Sequence, residues 1–100
     1  MSEQLTIIAR LRAKPGMESR VRDVFSALRA PTHKEDGCVY YEMHQSLENP
    51  REFIFYENWT SAAHLDAHMK TPHFQAASQA APEILDGPIE ISRWTMLTQH

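Results

Sequence analysis

Residues 52–59, Glu-Phe-Ile-Phe-Tyr-Glu-Asn-Trp, limit the choice of fold more than any other stretch of the chain. Side chains alternate across a strand, so Phe53, Phe55, Glu57 and Trp59 share one side. Ile54, Tyr56 and Asn58 take the other. Both sides carry large apolar groups, so the strand needs cover on both faces.

Three more segments read as strands. Residues 5–12, LTIIARLR, put Leu5, Ile7, Ala9 and Leu11 on one face. Residues 38–46, CVYYEMHQS, set Val39, Tyr41 and Met43 against Cys38 and Tyr40. ENPR then makes a hairpin connection, and residues 89–97, IEISRWTML, set Ile89 and Ile91 against Trp94 and Met96. AKPG and KEDG are turns. Between Met17 and about Ala30, Val21, Val24, Phe25 and Leu28 fall at helical spacing, with Pro31 just past the end. Thr60 and Ser61 are N-cap candidates for a second helix running to about Lys70. Thr71 then caps a restart with Pro72 at its first position, and DGP ends it.

The order β-α-β-β-α-β predicts a ferredoxin-like α+β fold with the second helix broken at Pro72. The helices cross one face of a four-stranded antiparallel sheet. The other face is also apolar, and a second copy packed sheet against sheet is the economical cover, so a homodimer is expected.

A length of 100 residues suits one domain spanning 1–100. The net charge of -3 comes without a basic stripe and argues against a nucleic-acid partner. No apolar run approaches the roughly 18 residues of a membrane span. The start MSEQLTIIAR lacks a basic region and cleavage site, and the single cysteine, Cys38, has no internal disulfide partner. The expectation is a cytoplasmic protein without a membrane partner, with Cys38 as a small apolar residue.

Residues 64–74, HLDAHMKTPHF, hold three of the six histidines. His64 and His68 are four apart and share a helix face, as zinc-binding histidines do. The sequence is not HExxH, however, and Pro72 separates His73 from the other two. Glu57 or Asp66 could add a ligand, but no spacing demands it, so the reading is no metal. His68 falls on the core-facing stripe with Ala62, Leu65 and Met69, while His64 sits at its edge. A neutral His68 among apolar neighbours could accept a proton near neutral pH; simple hydrogen bonding to a backbone carbonyl is the alternative. A buried Glu57 needs a partner or a raised pKa, and His44 or His68 could be that partner. Glu42 and His44 share a face of their strand, taken as the pocket face. In TPHF, Phe74 reads as core and His73 as a donor or acceptor at a pocket mouth.

AKPG, EDGCVYYEMH, FIFYENW and HLDAHMKTPHF, in that order, resemble the antibiotic biosynthesis monooxygenase family over about residues 5–97. The resemblance implies a dimeric α+β barrel with a pocket between sheet and helices in each subunit. The family's activities include cofactor-free oxidation of phenols and quinols, haem breakdown and isomerisation of a phosphorylated sugar. The haem branch is excluded because Ser78, Ala9 and His68 stand where its axial histidine, asparagine and tryptophan belong. In an aromatic-oxidising branch a tryptophan matching Trp59 lines the pocket; Phe55 replaces that branch's asparagine.

The expected activity is therefore monooxygenation of a small phenolic or quinol-type substrate with O2, using no cofactor. His68, His44 and Glu57 are the candidate catalytic residues. Trp59, Phe55, His73, Phe74 and Leu65 are the candidate substrate contacts. The alternatives are an isomerase of a small carbonyl or phosphorylated sugar, or a non-catalytic ligand-binding dimer.

Overall fold

The computed structural model describes residues 4–98. Its strands are β1 (Leu5–Arg12), β2 (Cys38–Gln45), β3 (Glu52–Trp59) and β4 (Glu90–Thr95). Its helices are α1 (Glu18–Ser26), α2 (Arg29–His33), α3 (Ala62–Met69) and α4 (Pro72–Ile84). The sheet order is β2-β3-β1-β4 with every neighbouring pair antiparallel. This is the ferredoxin-like α+β arrangement. The central pair, β1 and β3, faces Ile7 to Glu57, Ala9 to Phe55 and Leu11 to Phe53. All six are buried, which marks the side covered by helices.

The first helical stretch differs from expectation. It bends after Ser26, and Pro31 lies inside α2 rather than beyond a single helix. A helix leaves its first four backbone N–H groups without intrahelical acceptors, so a proline at the third position removes no bond. The bend swings Leu28 inward beside Phe25, and both are buried. β4 is also shorter than expected, beginning at Glu90 and ending at Thr95.

The second helical stretch is built as its caps dictate. The Ser61 hydroxyl accepts from the His64 N–H, and the Thr71 hydroxyl accepts from the Phe74 N–H. Each such cap contributes about 1 kcal/mol. Pro72 opens α4 at its first turn, where its missing N–H is no loss. On α3, Leu65 and His68 are buried, Met69 is half-buried, and Ala62 is exposed rather than part of the inward stripe.

Gly37 ends the turn before β2 with φ +83°. A Cβ there would stand 2.2 Å from Cγ of His64, so the His64 ring occupies the space a side chain would need. This contact seats the start of α3 on the turn that carries Glu35.

The opposite face of the sheet carries half-buried Ile8, Ile54 and Tyr56 and exposed Tyr40 and Trp94. None of the described helices covers it. Tyr40 and Tyr56 meet there edge to face with ring centroids 5.4 Å apart.

Candidate active site

A cavity of about 90 Å³ lies between the sheet and the helices. Ile7, Ala9 and Phe55 form its sheet wall, Leu65 and Met69 come from α3, and Phe74 comes from α4. Tyr41, Glu57 and His68 are the hydrogen-bonding side chains in the lining, and no lysine or arginine joins them.

His68 sits inside a cage of rings. Its centroid lies 4.8 Å from Trp59, 5.3 Å from Tyr41 and 5.0 Å from Phe74. Helical position 68 follows Leu65 onto the inward stripe, which brings the imidazole down onto β2 and β3. Its Nδ1 lies 2.9 Å from Oε2 of Glu35, while Nε2 takes no protein partner among the described residues. A carboxylate accepts, so the neutral ring donates from Nδ1 and keeps the Nε2 lone pair free. Burial lowers the His68 pKa below its ordinary value, although the hydrogen bond and charge of Glu35 oppose the shift.

Glu57 is 5% exposed and lines the same cavity. The Trp59 indole N–H donates to its Oε1 at 2.9 Å, and Oε2 has no protein partner among the described residues. Burial pushes the Glu57 carboxyl up to about 7; the indole hydrogen bond only partly offsets this, and the Glu35 charge adds to it. Tyr41 is fully enclosed, and burial raises its phenol well above the ordinary range.

The remaining expected residues divide. Phe55, Leu65 and Phe74 line the cavity. Trp59 lies behind the wall, fully buried, and acts on the cavity through Glu57 and His68. His44 is not in the site. It pairs with Ile54 on the open face of the sheet, as Glu42 pairs with Tyr56, so both point away from Glu57. The partners proposed for Glu57 are corrected with it: Trp59 bonds Glu57, and Glu35 bonds His68. His73 does not stand at the mouth of the cavity; its Nε2 bonds the same Glu35 Oε2 that receives His68. His64 is tied to Ser61 and Thr60 instead. Cys38 is half-buried, and burial pushes its thiol up to about 11, which suits a packing residue.

Glu35 is the residue that sequence reasoning missed. It lies in the KEDG turn, 33 positions before His68 and 38 before His73. No local spacing announces a contact that only the folded turn creates.

A small ferredoxin-like protein with an apolar, ring-walled cavity holding one acid and one imidazole is the class that fold and site define. The antibiotic biosynthesis monooxygenase family model matches residues 4–80, and the chain belongs to that family. It is 36% identical over 99 residues to the Escherichia coli protein named "Probable quinol monooxygenase YgiN", covering 87% of this chain and 94% of that one. The crystal structure of PA3566 from Pseudomonas aeruginosa superposes with a TM-score of 0.92 at 33% identity, covering 98% of both chains. Rv0793 from Mycobacterium tuberculosis gives 0.89 at 28% identity, over 96% of this chain and 97% of its own.

Proposed function

We propose that this chain is a cofactor-independent monooxygenase that oxidises a small phenolic or quinol-type ring with O2. One observation carries the reading. The cavity is apolar and aromatic except for Tyr41, Glu57 and His68, and among the described residues neither Glu57 Oε2 nor His68 Nε2 has a protein partner. A quinol and O2 contain every electron the reaction needs: the products are a hydroxyquinone and water, and no outside reductant enters. The protein's task is to remove the phenolic proton, align the ring and keep water out.

In this reading Nε2 of His68 accepts the phenolic proton. Glu35 holds the ring by Nδ1 so that the accepting nitrogen is the free one. Glu57, with a pKa of about 7, exists in both forms near neutral pH and returns a proton to the reduced oxygen. Phe55, Leu65 and Phe74 flank the substrate ring. The cavity of about 90 Å³ is smaller than the ~150 Å³ of a buried site that takes benzene. The substrate is therefore a single ring, admitted as half-buried Met69 and Phe74 move aside. A lining without lysine or arginine disfavours the phosphorylated-sugar isomerase.

The apolar open sheet face supports a homodimer as the working unit. The test is O2 uptake with single-ring and two-ring quinols. The expected result is uptake with single-ring quinols, matched by quinone appearance and not reduced by chelators. Conversion of a substrate at equal rate without O2 would instead establish an isomerase.

A further inference from the structure

Three donors from three separate elements converge beside the cavity: Glu35 from the turn before β2, His68 from α3 and His73 from the first turn of α4. Their ligand atoms all lie within 4.8 Å of one another. We infer that Glu35, His68 and His73 form a binding site for a divalent transition ion of the Zn2+ class, and that the ion switches His68 from proton acceptor to donor. The second part rests on the monooxygenase reading, because it matters only if His68 is the base.

The donor set decides the ion. Two imidazoles and one carboxylate suit Zn2+, whereas Mg2+ and Ca2+ favour oxygen ligands. The same donors hold Fe2+ in other proteins, but first-row affinities place Zn2+ above it. Ligands about 2.0–2.2 Å from a tetrahedral ion stand roughly 3.3 Å apart. That spacing falls between the 2.9 Å of the His68–Glu35 pair and the 4.8 Å limit of the cluster. Three protein ligands leave a fourth position for water. The side chains of Glu35 and His73 keep 14% and 24% of their surface exposed, which gives an ion a way in.

The local build favours convergence. The Thr71 cap and Pro72 restart turn His73 back toward α3, and the close approach of His64 to Gly37 fixes the turn that carries Glu35. Without an ion, protons on His68 Nδ1 and His73 Nε2 bridge to the carboxylate. An ion takes their place, and in each neutral ring the displaced proton moves to the other nitrogen. An imidazole bound through Nδ1 must carry its single proton on Nε2. The nitrogen left free for the cavity then donates and can no longer accept, so occupancy inhibits.

Isothermal titration of the full chain with ZnCl2 and MgCl2 tests the site, and long-range 1H–15N spectra of His68 test the switch without reference to any activity. One Zn2+ per chain and no Mg2+ binding are expected. His73→Ala and Glu35→Gln should each weaken Zn2+ at least 10-fold, and His44→Ala should leave it unchanged. Circular dichroism confirms that the variants fold. The His68 proton is expected on Nδ1 in the free protein and on Nε2 with Zn2+ bound. Zinc binding that is absent, or indifferent to both His73→Ala and Glu35→Gln, would overturn the site. Zinc bound by these ligands with Nε2 still unprotonated, or a rise in quinol turnover on adding Zn2+ or Fe2+, would overturn the switch.

Discussion

Burial holds the Glu57 carboxyl up to about 7, from 4.5 in the unfolded chain. The folded state therefore binds this proton more tightly. The associated stability is complete below about pH 4.5 and is lost as pH rises through about 7. A shift of this size represents on the order of 3 kcal/mol. Glu57→Gln keeps an oxygen for the Trp59 N–H and cannot ionise. Its urea midpoint should fall less than the wild type's between pH 5 and pH 8; equal falls would show that Glu57 is not buried as described. His68 has the opposite sign. Its lowered pKa means stability is lost as pH falls below 6.5, the unfolded value. His68→Gln should lower quinol turnover by at least about 100-fold, the usual minimum for a positioned base. The inward direction of His68 was legible from helical spacing, and that of Glu57 from strand alternation. The side of the sheet taken by His44 was not. Both faces of β2 carry apolar residues, so the hydrophobic pattern cannot tell cavity from open face. The register shift between Cys38 and Tyr40 disturbs strand parity further. Glu35 was invisible because its partners lie on helices far along the chain.

At the level of elements, local chemistry and tertiary packing agree through α3 and α4. Ser61, Thr71 and Pro72 mark the breaks in sequence, and the structure uses all three as marked. Ser61→Ala and Thr71→Ala should each lower stability by about 1 kcal/mol in chemical denaturation. Thr71→Ala should also loosen His73, read as weaker Zn2+ binding; Ser61→Ala should not. The first helical stretch was less legible. Its apolar spacing continues to Leu28, and nothing in that pattern shows that Pro31 belongs to a second short helix. Gly37 joins two elements through shape alone. Gly37→Ala faces both a positive φ and the His64 ring, so a loss of more than about 2 kcal/mol is expected. In a His64→Ala background the ring contacts are gone while the residue 64 Cβ stays 2.6 Å from the added methyl, so a smaller loss is expected. Equal losses in both backgrounds would show that the His64 contact is unimportant.

For the whole molecule, the four strands and their order along the chain followed from alternation and turn residues. None of the described helices covers the second sheet face. Ile8, Ile54, Tyr56 and Trp94 give that face its apolar character. A homodimer buried there predicts that Ile54→Lys combined with Trp94→Lys halves the mass seen by analytical ultracentrifugation while the far-ultraviolet spectrum stays native; an unchanged mass would place the dimer contact elsewhere. The cavity is walled by rings and lined by one acid and one imidazole. Its proposed reaction is tested most directly by turnover of a single-ring quinol under 18O2 with product mass spectrometry. The expected result is one 18O atom in the hydroxyquinone, formed at least about 100-fold more slowly by His68→Gln and at the wild-type rate by His44→Ala. A product carrying no 18O, or equal rates of labelled product from wild type and His68→Gln, would contradict it.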